Sequence, residues 1–222
     1  MHILEAVNHL NSVTSNFNPR VGIILGTGLG GFVDNIEVVH SIPYEEIPNM
    51  PVSTVEGHAG RLIFGTIGGV KVVAMQGRFH YYEGYNMQQV TFPVRVLAKL
   101  AIDYLFVSNA SGGINTSFCV GDLMIITDHI NLLPNPLIGP NMAEFGPRFP
   151  DMHDCYAQAI RSKATAIAER EVICSNFVFN ISINIVMRSW SFSLNTTMTI
   201  TSPVEAVRMI ILRIKPLCSR TL

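Results

Sequence analysis

VGIILGTGLGG, Val21 to Gly31, places an unbroken apolar run directly before a glycine-rich loop. A run such as Val21 to Leu25 reads as a strand buried on both faces, the kind found inside parallel sheets. The glycines after it let successive backbone N–H groups turn inward around an anion, and the Thr27 hydroxyl adds another donor. Phosphate is the natural guest of such a loop. The same letters satisfy G-x-G-x-x-G through Gly26, Gly28 and Gly31, so a dinucleotide site and a ligand-free turn stand beside the phosphate reading. The next strand, Ile36 to Ile42, does not end in the acid that a ribose diol requires. No Lys-Ser or Lys-Thr follows the glycines, which excludes an NTP-binding P-loop.

Outward from this loop, strand and helix patterns alternate. Ile3, Val7 and Leu10 recur at helical spacing, and Asn16 to Pro19 close that helix. RLIFGTIGGVKVVAMQ, Arg61 to Gln76, predicts two strands joined through Gly68-Gly69, a pair that supplies the positive φ of a tight hairpin. Asn86 to Leu100 predicts a helix with Pro93 inside it, Tyr104 to Asn109 and Asp122 to Ile130 predict strands, and Asp151 to Arg170 a further helix. The expectation is a single α/β domain over residues 1–170, with a mixed central sheet flanked by helices.

Composition bounds the function. The 222 residues are 48% hydrophobic and 14% charged, with 15 basic against 16 acidic side chains. Mean hydropathy is +0.33, which favours a well-buried and oligomeric chain. A net charge of −1 leaves no electrostatic footprint for nucleic acid or an anionic membrane. No stretch long enough to span a bilayer and no signal-peptide pattern is visible. Cys119, Cys155, Cys174 and Cys218 show no C-x-x-C spacing and suit reduced thiols, so a cytoplasmic location is expected. No histidine pair has zinc-ligand spacing, and no metal is expected.

Three loops carry the candidate chemistry. The first is the glycine run. The second joins His58, flanked by Gly57 and Gly60, to the cluster QGRFHYYEGY, which follows a strand end with Arg78, His80, Tyr81, Tyr82, Glu83 and Tyr85. A guanidinium fork suits phosphate, histidine supplies a donor, and tyrosine offers a ring and a hydroxyl to a sugar. The third, SNASGG from Ser108 to Gly113, ends a strand with small residues that let a planar group approach the backbone. An ordinary turn explains any one of the loops, but explains their joint occurrence poorly.

LGTGLGG, VEGHAGRLIFG, MQGRFHYYEGY, VTFPVRVL, VSNASGG, GDLMIITDHINLLPNPLIGPN and FGPRFPDM occur in this order between Leu25 and Met152. Together they make Val21 to Glu169 resemble purine nucleoside phosphorylase of the trimeric type. The resemblance implies phosphorolysis of purine (deoxy)nucleosides to free base and (deoxy)ribose 1-phosphate, with orthophosphate as co-substrate and no cofactor. It implies a phosphate site of Thr27, His58, Arg78, His80 and the backbone of Ala110, with His80 and Arg78 as the catalytic pair. It also implies a nucleoside site bordered by Tyr82, Asn109 and Ala110, and Phe149 reaching over the site of a neighbour in a homotrimer. Nucleic acid and membrane are not implied partners.

The resemblance stops near Glu171. All 17 glycines lie between Gly22 and Gly146, and residues 171–222 turn to Ile, Ser, Asn and Thr. Segments like GPxFETPAE and MSTVPE, which the family carries next, have no counterpart there. Residues 171–222 therefore read as an atypical tail, from a changed reading frame or an alternative ending. Phosphorolysis stands as the first reading, and a chain that keeps the phosphate-binding half without turnover as the second. 5′-Methylthioadenosine phosphorolysis ranks lower, because GRFHYYEGY is more similar to the purine nucleoside type. An NAD-dependent dehydrogenase, resting on three glycines, ranks last.

Overall fold

The computed structural model describes residues 2–26, 28–52, 59–109, 123–153, 155–171, 180–184 and 210–212, the last two stretches as backbone. Its strands are β1 (Val21–Leu25), β2 (Glu37–Pro43), β3 (Arg61–Ile67), β4 (Val70–Gln76), β5 (Tyr104–Val107), β6 (Ile126–Asn131), β7 (Asn180–Asn184) and β8 (Ile210–Leu212). Its α-helices are α1 (Ile3–Val13), α2 (Met87–Lys99) and α3 (Gln158–Arg170). The main sheet runs β2-β3-β4-β1-β5-β8, and β6 pairs with β7 separately. β1 is parallel to β4 and β5, whereas β2, β3 and β4 are successively antiparallel and β8 is antiparallel to β5. The mixed α/β sheet is the one the strand and helix patterns predict.

Local chemistry accounts for these elements. Gly68 and Gly69 take φ of +54° and +78° and close β3 onto β4 with Ile67 opposite Val70, a turn that a Cβ at either position would strain. Asn86 caps α2, accepting from the Gln89 N–H while the Gln89 side chain accepts from the Asn86 N–H. Pro93 lies inside α2 without ending it. Ile3, Ala6, Val7 and Leu10 form one stripe of α1 and join Phe64, Val73, Phe92, Val96 and Leu97 in the main core. A smaller cluster joins Ile36, just before β2, to Ile63, Val72 and Ala74 of the β3–β4 hairpin.

β5 ends at Val107, two residues short of the expected Asn109, and the start of α3 differs further. β6 runs from Ile126, the expected start at Asp122 lying outside the described residues, and its register with β7 shifts between Ile126 and Asp128. α3 begins at Gln158 rather than Asp151, because the Asp151 carboxylate accepts from the His153 N–H at 2.9 Å and Ala157 is extended at ψ 111°. Such a side-chain turn competes with helix initiation.

The glycine loop runs into a short 3₁₀ turn, Gly30–Asn35, and then into β2, which lies beside β3 and not beside β1. A dinucleotide fold needs an α-helix at that point and a parallel crossover back to the neighbouring strand. The dehydrogenase reading of Gly26, Gly28 and Gly31 therefore fails on topology.

Candidate functional site

Because β1, β4 and β5 are parallel, their C-terminal ends open on one edge of the sheet. Leu25 faces Gln76 and Ile24 faces Val107, so Gly26, Gly77-Arg78 and Ser108-Asn109 leave the sheet side by side. Open α/β sheets place ligands at this edge. β3, antiparallel to β4, starts there too, with Arg61 opposite Gln76.

Side chains lock the strand ends together. Ser108, 8% exposed, accepts from the Gly26 N–H at 3.0 Å and donates its hydroxyl to the Ile24 carbonyl at 3.2 Å. Gln76 accepts from Arg61 Nε at 2.7 Å and donates to the Gly30 carbonyl at 3.1 Å, which ties the glycine loop to the hairpin. Tyr44, 1% exposed, donates its hydroxyl to the Gly77 carbonyl at 2.7 Å and packs its ring on Phe79.

Arg78 is the centre of the arrangement. Its Nη1 donates to the Ser108 carbonyl at 2.9 Å and its Nε to His80 Nε2 at 2.9 Å. Arginine has no acceptor, so His80 Nε2 must supply a lone pair and Nδ1 must carry the hydrogen. Nδ1 then donates to Glu83 Oε1 at 2.7 Å, and the His80 backbone N–H donates to the same oxygen at 2.7 Å. Glu83 has only 2% of its side chain exposed, against 14% for His80. The chain Glu83–His80–Arg78 fixes the imidazole tautomer and the plane of the guanidinium. Burial holds the Arg78 guanidinium below its ordinary range, with a smaller opposing effect from Tyr82. An anion at this edge offsets that desolvation. Tyr82, 70% exposed, stacks on His80 with centroids 4.6 Å apart. Partial burial first, and the Glu83 charge second, push its phenol up against a smaller opposing effect of Arg78.

The sequence-predicted residues fall into three groups. Arg78, His80 and Tyr82 follow β4 in one hydrogen-bonded and stacked cluster, which Asn109 borders through Ser108. Phe149 lies between β6 and α3 and is 87% exposed. Thr27, His58 and Ala110 lie outside the described residues. Glu83, Ser108, Gln76 and Tyr44 were not singled out as individual contributors. Glu83 was legible as an acid three residues after His80, but Ser108, Gln76 and Tyr44 act through pairings only the fold creates.

Two outcomes follow. Glu83→Gln weakens the acceptor that orients His80 and is expected to lower the phosphorolysis that the resemblance implies ~10²-fold, as for a misplacement of about 1 Å, with far-ultraviolet dichroism unchanged. Tyr44→Phe leaves the Gly77 carbonyl without its donor and should lower unfolding free energy in urea by ~1–3 kcal/mol. Burial raises the Tyr44 phenol, so the unfolded chain loses that proton first as pH rises. Stability should therefore be full below pH ~10 and fall above it by up to ~1.4 kcal/mol per pH unit, a slope that Tyr44→Phe reduces.

Known proteins similar to this chain share its sequence motifs and its fold. The model of the Phosphorylase superfamily matches residues 20–192, running past the composition break at Glu171. Purine nucleoside phosphorylase 1 of Bacillus subtilis is 60% identical over 153 residues, covering 68% of this chain and 56% of that protein. The chain thus spans about half the length of the curated relatives it matches. The crystal structure of Schistosoma mansoni purine nucleoside phosphorylase with acetate superposes with a TM-score of 0.79 at 41% identity, covering 85% of this chain and 71% of the other. The same species' enzyme in complex with inosine gives 0.77 at 40% identity, covering 85% and 67%. Expected motifs, mixed sheet and matched relatives converge, and the chain belongs to the Phosphorylase superfamily.

Proposed function

We propose that the chain catalyses phosphorolysis of purine nucleosides, with orthophosphate as co-substrate and no cofactor. The observation that carries this reading is the Glu83–His80–Arg78 chain at the C-terminal ends of parallel β1, β4 and β5. In this account Arg78, the Gly26 loop, Thr27, His58 and the Ala110 backbone hold the phosphate, and His80 sets the Arg78 fork and adds its own polar ring to the site. Tyr82 and Asn109 border the ribose. A phosphate oxygen attacks C1′ as the C1′–N9 bond breaks, the bonding pair leaves with the purine, and the purine takes a proton. The ribosyl group passes through an oxocarbenium-like state, which the phosphate dianion stabilises on one face. Holding phosphate and sugar in line removes much of the entropic barrier, so no protein nucleophile is needed.

Phe149 at 87% exposed, with Leu137 and Ile138 at 52% and 72%, supports a homotrimer in which this segment covers a neighbouring site. Among the described residues no helix is long and apolar enough to cross a membrane, and the scattered cysteines support a cytoplasmic location. The composition break at Glu171 supports a second reading, in which residues 171–222 are a separate atypical tail and the chain binds phosphate without turnover.

The test is incubation of the full chain with inosine, with and without orthophosphate, followed by phosphorus NMR and base chromatography. Equal hypoxanthine and ribose 1-phosphate, formed only with phosphate, is the expected result. Free ribose formed without phosphate would overturn phosphorolysis. Phosphate binding without turnover would select the second reading.

A further inference from the structure

We infer that Asp128, His129 and Cys155 form a binding site for a divalent cation of the zinc class, separate from the chemistry proposed above. A carboxylate oxygen, an imidazole nitrogen and a cysteine sulfur lie within 4.8 Å of one another. Tetrahedral zinc bonds such ligands at about 2.0–2.3 Å, which sets its ligand atoms about 3.5 Å apart. Closing the site therefore takes a side-chain adjustment of about 1 Å.

Three features make this more than a chance meeting. Adjacent residues of a strand point to opposite faces, yet Asp128 folds its carboxylate back to accept from the His129 N–H at 2.8 Å, next to the register shift of β6. That brings the acid to its neighbour's side. Second, the His129 ring is already held: its Nδ1 is 2.9 Å from the hydroxyl of Tyr156, a residue 6% exposed, and the two rings meet edge to face. A metal on Nε2 leaves Nδ1–H to donate to that hydroxyl, the outer-shell support that metal-binding histidines need. Third, the donor set mixes a soft sulfur with nitrogen and oxygen, and His129 and Cys155 are half-buried while Asp128 is exposed. This selects zinc over magnesium or calcium, which take oxygen ligands. The cation would clasp β6 to the segment before α3, with a fourth position for water. The spacing of these residues in the sequence conceals the site, which only the fold brings together.

The test uses the full chain, stripped with chelator, desalted and titrated with Zn²⁺ alone by calorimetry, then with Co²⁺ as a spectroscopic probe. One equivalent should bind per chain, and Co²⁺ should give tetrahedral d–d bands with a sulfur-to-cobalt charge-transfer band. Removal of outer-shell support alone weakens such sites ~10–100-fold, so Tyr156→Phe should fall in that range and Cys155→Ser at or beyond ~100-fold, with the sulfur band lost. A variant with Cys119, Cys174 and Cys218 changed to serine should keep both band and affinity. Zn²⁺ affinity unchanged in a folded Cys155→Ser chain, or a Co²⁺ spectrum without the sulfur band, would overturn the site.

Discussion

Arg78→Ala should lower the affinity of the chain for orthophosphate by at least ~100-fold and reduce phosphorolysis by ~10²–10³-fold, in line with removal of one main electrostatic donor. The guanidinium is half-buried, and burial already holds it below its ordinary range. Each charge-assisted hydrogen bond it makes to a phosphate contributes ~1.5–3 kcal/mol. A surface lysine or arginine would lose far less, because water screens it. Removing this one also releases His80 Nε2 and the Ser108 carbonyl, the two groups that Arg78 bridges at 2.9 Å. Arg78→Lys keeps the charge but not the fork, and should recover only a minor part of the loss. Phosphate titration of the three proteins checks this.

Gly26→Ala should be as damaging, for steric reasons. A Cβ at Gly26 would lie 2.4 Å from the Ser108 carbonyl oxygen, 2.8 Å from Asn109 Cα and 2.9 Å from the Ser108 carbonyl carbon. All three are backbone, so no rotamer change relieves the contact. The β1 and β5 ends must part, which breaks the bond from the Gly26 N–H to Ser108 Oγ and moves the carbonyl that receives Arg78. A loss of ~3 kcal/mol in unfolding free energy is expected, the upper part of the overpacking range, together with loss of phosphate binding. Gly30→Ala is the control: its nearest neighbour would be Gln76 Nε2 at 3.9 Å, and it should change stability by no more than ~0.5 kcal/mol.

The sheet was legible where sequence and fold share a period. Val21–Leu25 is continuous and apolar because β1 sits between β4 and β5, and Gly68-Gly69 between two apolar runs supplied the positive φ of the tight hairpin that forms. The cluster from Arg78 to Tyr85 announced itself by packing groups that bind anions and sugars just beyond a strand. Legibility ended where partners are far apart in the chain. Nothing local marks Ser108 as the clamp on Gly26, Tyr44 as the donor to Gly77, or Cys155 as the neighbour of His129, because strand register and loop return create those contacts. The start of α3 was missed because Asp151 captures a nearby N–H, a local competition that helical periodicity does not register. β7 and β8 were missed for a related reason. The alternation Asn180-Ile181-Ser182-Ile183-Asn184 in β7 and the short apolar run Ile210-Ile211-Leu212 in β8 lie beyond the composition break, without the glycine turns that punctuate the earlier strands.

The account rests on orthophosphate occupying the edge where β1, β4 and β5 end, and calorimetric titration of the full chain with orthophosphate tests this most directly, with Arg78→Ala in parallel. Saturable binding at one site per chain, lost in Arg78→Ala, is the predicted result. Weak, non-saturating heats that are the same in both proteins would contradict it.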